Sequence, residues 1–242
     1  MEGYNEIGSA TSEKKSPDSL TINGSDWPLS GLTNVVDSDG ILTLDLVAIL
    51  DDFERANLDP YSGATASFEV TTTSPVQEGS YSLKGNSSGS AQTIDSWSGG
   101  GLEDYPAQGD TWEYYVYNDG SGAQAMFSFG VPDGILSDDD SYRIFTRFDV
   151  DDFLIQLRNG SGGTTGDNLA QTSVTWPTDD WLRVEIGWET DGTITGTVED
   201  SNGTELVSET ATDSTFTDGG IGWSVNTSTS SASAMFDGAK FL

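Results

Sequence analysis

Residues 181–189 read Trp181-Leu182-Arg183-Val184-Glu185-Ile186-Gly187-Trp188-Glu189. Successive side chains of a strand point to opposite faces, so Leu182, Val184, Ile186 and Trp188 share one face and Arg183, Glu185, Gly187 and Glu189 the other. A strand with one apolar face belongs to a sheet that covers a core on one side and meets water on the other. Asp191-Gly192 then supplies a hairpin turn, and a second alternating run, 193–199, follows it. Residues 142–149 repeat the pattern, with Tyr142, Ile144, Thr146 and Phe148 opposed to Arg143, Phe145, Arg147 and Asp149.

Outward from this hairpin the pattern stays β. Strands are predicted at 67–72, 81–85, 111–117, 124–131, 142–150, 152–158, 181–189, 193–199, 205–211, 221–225 and 234–241. Asp119-Gly120, Asp133-Gly134, Asn159-Gly160, Asp191-Gly192, Asn202-Gly203 and Asp218-Gly219-Gly220 mark the turns. Many short strands with regular turn signals indicate an all-β, two-sheet antiparallel sandwich. The best helical signal, 44–56, carries β-branched residues and an Asp cluster that oppose a helix. Residues 1–19 are polar and aperiodic, and 20–50 hold two strand-like pieces, 20–22 and 41–46. The chain therefore divides into a short extended N-terminal arm, 1–50, and a main domain, 51–242. The arm is too small to bury a core alone and is expected to serve assembly.

Composition limits the function. Forty acidic residues stand against nine basic ones, with no histidine and no cysteine, for a formal net charge of −31. Such self-repulsion opposes compaction at ordinary ionic strength, while in molar salt the Debye length falls to about 3 Å and the penalty fades. Only Lys14, Lys15, Lys84 and Lys240 are lysines. This is the surface expected of a protein from an extreme halophile; the aromatic content and alternating strands argue against an acidic disordered chain. The charge disfavours nucleic acid, which needs clustered Lys and Arg. Thiol chemistry and Cys-based zinc are excluded, so any metal is expected to be hard and oxygen-bound, calcium first. No apolar run approaches the roughly 20 residues of a membrane-spanning helix, and no secretory signal is read at the N-terminus. Five Asn-x-Ser/Thr sequons, beginning at Asn23, Asn86, Asn159, Asn202 and Asn226, mark turns or glycan acceptors.

Several pieces resemble, in the right order, the concanavalin A-like lectin/glucanase superfamily, laminin G-like in flavour. Asp51-Asp52-Phe53-Glu54 and Val76-Gln77-Glu78-Gly79-Ser80-Tyr81-Ser82-Leu83 are similar to the opening of such jelly rolls. The Trp181 strand with its Asp-Gly hairpin and the turn Asp200-Ser201-Asn202-Gly203 are similar to the middle. Thr217-Asp218-Gly219-Gly220-Ile221-Gly222-Trp223 and Met235-Phe236-Asp237-Gly238 are similar to the closing strands. The resemblance spans about 51–242 and implies a two-sheet jelly roll used for glycan binding, adhesion, glycoside cleavage or structure. It also implies a structural calcium where the first and last strands meet, with Asp237 at the matching place and Glu54 and Glu78 near it; the other reading makes these acids part of the acidic coat.

Glycoside hydrolysis needs two carboxylates about 5–9.5 Å apart. The related glucanases carry E-x-D-x-E on one strand, whereas Glu185-Ile186-Gly187-Trp188-Glu189 lacks the central acid and spaces its ends roughly 13 Å apart. With no histidine for nucleophile activation either, enzyme activity is not expected. Binding is. Arg143, Arg147 and Arg158 lie on two adjacent predicted strands with Gln156 between them, a face able to grip acidic sugars bidentately. Trp97, Trp112, Tyr114 and Tyr115 are candidate stacking platforms; the alternative pairs the arginines with neighbouring Asp and buries the aromatics.

The expected function is a non-enzymatic adhesion protein of an extracellular assembly. The setting expected first is a turret, fibre or spike on the virion of a halophilic archaeal virus, with a lectin-like head for host-surface glycans. A homo-oligomer joined to other virion proteins through residues 1–50 is expected. The alternative is a cellular haloarchaeal carbohydrate-binding or glycoside-hydrolase module. No membrane insertion is expected.

Overall fold

The computed structural model describes residues 48–73, 75–97, 100–135, 137, 139–159 and 166–242, and the backbone of four strands before them. The chain forms two compact units, Met1–Val47 and Ala48–Leu242. In the first, β1 (Ser19–Ile22) pairs antiparallel with β2 (Ser25–Pro28), and β3 (Leu32–Ser38) with β4 (Ile41–Leu46). The segment 1–18, expected as an arm, and the turn at Asn159-Gly160, at its glycine, lie outside the described residues.

The second unit is the sandwich. Its strands are β5 (Ile49–Asp51), β6 (Ser62–Gly63), β7 (Phe68–Thr71), β8 (Ser82–Ser87), β9 (Gln92–Ser96), β10 (Thr111–Asn118), β11 (Gln124–Val131) and β12 (Ser141–Arg147). There follow β13 (Asp152–Arg158), β14 (Asp167–Ser173), β15 (Asp180–Trp188), β16 (Thr193–Glu199), β17 (Glu205–Thr212), β18 (Gly220–Asn226) and β19 (Ala232–Phe241). One sheet runs β17-β16-β15-β10-β19-β8-β7, with β5 also on β19; the other runs β14-β13-β12-β11-β18-β9-β6. All pairings are antiparallel. The stretch 44–56 holds the end of β4 and β5 rather than a helix.

Alternation places the core as expected. Leu182, Val184, Ile186 and Trp188 of β15 are all fully buried, and Arg183, Glu185 and Gly187 face out. Between the sheets the aromatics interlock. Phe127 meets Trp223 edge-on at 4.8 Å, and Trp188 meets Phe129 at 5.1 Å and Tyr142 at 5.6 Å. Edge-on pairs of this kind add about 0.5–1.5 kcal/mol each beyond the area they bury.

Strand β12 departs from the expected one-sided burial. Its outer face is covered too: Arg143 is 3% exposed and Phe145 9%. Phe145 joins Met126 and Leu154 in a second, smaller apolar cluster on that outer face. Arg143 donates from Nη2 to the carbonyl of Ser137 at 2.6 Å, so Ser137, between β11 and β12, lies against this face of the sheet. Gly222 makes this possible, because a Cβ there would collide with the Asp95 carboxylate and with Ser137 Oγ, 2.8 Å away.

A polar node fixes the first strand. Asp51, 2% exposed, takes both Nη1 and Nη2 of Arg55 at 2.6 and 2.7 Å and the Tyr61 hydroxyl at 2.5 Å. Tyr61 in turn accepts Trp223 Nε1 at 2.8 Å. A buried carboxylate held this completely ties β5 to the core, a role the sequence reading gave to none of these residues.

Candidate functional site

The expected arginine face exists as geometry. Register across β12 and β13 sets Arg143 opposite Gln156, Arg147 opposite Asp152 and Ser141 opposite Arg158. Its chemistry is internal. Arg147 forms a bidentate pair with Asp152 through Nε and Nη2, and hydrogen bonding to that carboxylate holds its pKa above the ordinary value. Gln171 Nε2 donates to the same Asp152 at 2.8 Å, and Gln156 donates to Asn168 at 3.0 Å. Arg143 is buried. A cation already satisfied this way has no geometry left with which to grip a ligand.

Two of the four candidate stacking platforms, Trp112 and Tyr114, are core residues. Trp112 is 0% exposed and packs on Phe129 at 5.1 Å; Tyr114 is 1% exposed and stacks on Phe127 at 5.0 Å. Both point between the sheets on the same side of β10 as buried Val116, so neither offers a ring to a sugar. Burial drives the Tyr114 hydroxyl pKa far up. The pair Glu185 and Glu189 is equally structural: Glu185 accepts Arg183 Nη2 at 2.6 Å, and the Glu189 backbone closes the 189–193 turn.

The three acids expected around calcium are placed close to the last strand and are held by N–H donors. Asp237, 0% exposed, accepts the backbone N–H of Gln77 at 2.8 Å and of Glu78 at 3.1 Å through Oδ2, and that of Gly238 at 2.8 Å through Oδ1. Burial pushes its carboxyl up to about 7, against those three donors. Glu54 Oε1 accepts from Ser80 and Tyr81 at 2.7 and 2.9 Å. Glu78 Oε1 holds the Lys240 ammonium at 2.7 Å. Calcium takes 6–8 oxygen ligands. Here the nearest groups to the carboxylates are N–H and ammonium, which repel a divalent cation, and the site does not fit calcium. Among the described residues no group of three or more acids is arranged to hold a metal ion.

A candidate site that the sequence pattern does not mark lies at one end of the sandwich. Parts of three connections, 102–106, 132–133 and 215–219, enclose a cleft of about 820 Å³ lined by Tyr105, Pro106, Pro132 and Phe216 and by the acids Glu103, Asp104, Asp133 and Asp218. Its walls are anchored from behind. Tyr105 shares its hydroxyl with Ser96 Oγ at 2.8 Å, and Phe216 packs edge-on against Tyr142 at 5.3 Å. Tyr142 donates its hydroxyl to Asp213 Oδ1 at 2.6 Å and accepts the Phe216 N–H at 3.2 Å. Burial works against the Asp213 charge, but Tyr142 and Thr215 hold its carboxyl below the usual range. Burial and this carboxylate together push Tyr142 up to about 12. Ala107 bridges Asp218, and Gln108 N–H donates to the Thr217 carbonyl at 2.9 Å. Gly219, at φ +142°, lies where a Cβ would meet Gly130 and Val131 backbone at 2.7 Å, so the connection presses directly on β11.

The front of the cleft is open. Glu103, Asp133 and Asp218 are exposed, and among the described residues their carboxylates have no hydrogen-bond partner. Half-buried Tyr105 and Phe216 present ring surface beside them. Rings fixed from behind, with unpaired acceptors in front, can pack on an apolar face and take hydroxyl hydrogen bonds at its rim.

No family model and no curated protein matches this sequence. Solved structures do. A protein of unknown function from Shewanella oneidensis MR-1 is 16% identical over 88% of this chain and 90% of its own, with a TM-score of 0.53. A legume lectin-like domain from Entamoeba histolytica is 12% identical over 74% and 91%, with a TM-score of 0.50. The carbohydrate-binding module CBM66 from Bacillus subtilis gives 14%, 72%, 95% and 0.49. At these identities the likeness shows the fold alone, a two-sheet antiparallel jelly-roll sandwich.

Proposed function

We propose that this chain is a non-catalytic glycan-binding module that works in concentrated salt, with the loop-end cleft as its sugar site. The observation that carries the reading is the pairing of braced Tyr105 and Phe216 rings with the unpaired carboxylates of Glu103, Asp133 and Asp218. A pyranose offers an apolar C–H face and a rim of hydroxyls, which match such a surface. Hydrogen bonds to carboxylates are roughly twice as strong as neutral ones. Among the described residues the lining holds four acids and no Lys or Arg, in a chain of net charge −31. Carboxylated and sulfated glycans are repelled there, so the ligand class is neutral glycans rather than the acidic ones that the arginine face suggested.

Hydrolysis would need two carboxylates held at a fixed separation across the scissile bond. The cleft's four acids are spread over three loops, and among the described residues the carboxylates of Glu103, Asp133 and Asp218 have no hydrogen-bond partner to fix them. The setting we favour is a surface assembly, with the unit Met1–Val47 joining the head to its other proteins and to further copies. A virion appendage of a halophilic archaeal virus and a surface module of a haloarchaeal cell both suit this reading, and the acidic composition supports either.

The test is a panel of neutral and acidic glycans in molar salt. Weak binding of neutral glycans, no release of reducing ends, and loss of binding by a Tyr105→Ala/Phe216→Ala double variant are expected. Binding of acidic glycans alone, abolished by Arg147→Ala/Arg158→Ala, would reject the cleft.

A further inference from the structure

The seam between the first and last strands is where the resemblance implies calcium, and a different cation stands beside it. Strand β19 pairs with β8 from Ala232 to Phe236 and with β5 at Ala239 and Lys240. Asp237 and Gly238, the latter at φ +58°, occupy the change of partner. The Asp237 carboxylate spans the gap by accepting the Gln77 and Glu78 amides. Three residues on, Lys240 turns its ammonium back between Glu78 Oε1 at 2.7 Å and Glu113 Oε1 at 3.2 Å, with Tyr115 below it at 5.9 Å from the ring centre. The other Glu113 oxygen is held by Arg183 Nε, and Arg183 also reaches Glu185 at 2.6 Å and Glu199 at 3.2 Å. Glu113 is 4% exposed, so its charge requires a cation beside it.

We propose that Lys240 is a tethered cation in the place of a structural divalent ion: its ammonium closes the seam between β19, β10 and the 75–81 loop, and the fold needs no calcium. The geometry explains why one residue suffices. A divalent ion organises a seam by drawing carboxylates from several segments onto one centre, and Lys240 draws Glu78 from the loop and Glu113 from β10 while itself belonging to β19. A covalently attached cation also has an advantage in brine, where free monovalent ions compete for every exposed carboxylate. Burial opposes the ammonium charge, but Glu78 and Glu113 more than offset it, so Lys240 stays charged beyond the ordinary lysine range.

The test uses the full chain in molar salt, with thermal unfolding followed in chelator and in millimolar CaCl2, and calcium binding measured by calorimetry on the folded wild type. The wild-type midpoint should be the same in both buffers, with no calcium heat at the folded protein. Lys240→Met should lower the midpoint on the order of 5 °C, and calcium should restore part of that loss where magnesium does not. A wild-type midpoint that follows calcium, calorimetric binding to the wild type, or a Lys240→Met variant as stable as the parent would overturn the proposal. Should the variant fail to fold, the two wild-type measurements decide alone.

Discussion

The outer face of β12 and β13 and the cleft at the loop end are built from similar materials and differ in what those materials already touch. On the sheet face, Arg147 is clasped by Asp152 and Arg143 lies buried under the Ser137 carbonyl. In the cleft, Glu103, Asp133 and Asp218 face outward beside ring surface. A basic cluster in an acidic chain draws the eye, yet cations surrounded by Asp are the ones the fold has already used. The difference teaches that a binding site is marked by unmet hydrogen-bonding capacity next to braced apolar surface, and residue type comes second. Substitutions on either sheet's outer face should therefore change stability, and substitutions in the cleft should change binding.

The largest effect is expected at Asp237, on the outer face of the other sheet. Its folded-state pKa of about 7 lies above the unfolded value of 3.8. The folded state thus holds the proton more tightly. Its contribution is fully present below about pH 4 and is lost as pH rises through 7. Across that window wild type should lose up to roughly 4 kcal/mol relative to Asp237→Asn, whose side chain does not titrate. Denaturant unfolding of both at pH 4 and pH 8 measures it; a constant gap would show that the three amide donors, rather than burial, set this carboxyl.

Next comes Arg143→Met, which removes a buried donor and should cost about 3 kcal/mol in urea unfolding. Glycan binding by the folded variant should stay at the wild-type level. Binding lost with stability intact would return the sheet face to the functional site. Arg147→Ala sharpens the same contrast more gently. Its pair with Asp152 has side-chain exposures of 26% and 11%, and Gln171 still donates to Asp152, so loss of the cation should cost about 1–2 kcal/mol.

The fold was legible where alternation was strong. The strands at 124–131, 152–158 and 193–199 fall at Gln124–Val131, Asp152–Arg158 and Thr193–Glu199. Strands β9 and β14 were not foreseen. Gln92-Thr-Ile-Asp-Ser96 carries one apolar side chain, and Asp167-Asn-Leu-Ala-Gln-Thr-Ser173 is a polar edge strand whose existence rests on its ladder with β13. Trp112 and Tyr114 could have been placed correctly, because they share a strand face with Val116. The cleft could not: Tyr105 and Phe216 line one cleft only because non-adjacent connections end at the same rim of the sandwich, a fact of topology that no local spacing carries.

Phe216→Ala carries the smallest stability change and the most telling functional one. Loss of its edge-on contact with Tyr142 should cost about 1 kcal/mol, while neutral-glycan affinity should fall roughly tenfold, equivalent to about 1.4 kcal/mol. Matched losses of stability and binding by all the variants would erase the distinction between the two regions.

The most direct measurement is a map of amide chemical-shift changes as a neutral oligosaccharide is added in molar salt. Changes should centre on Tyr105, Pro106's neighbours, Asp133 and the 215–219 connection, leaving Arg147, Gln156 and Arg158 still. Shifts centred on β12 and β13, with the cleft silent, would contradict the account.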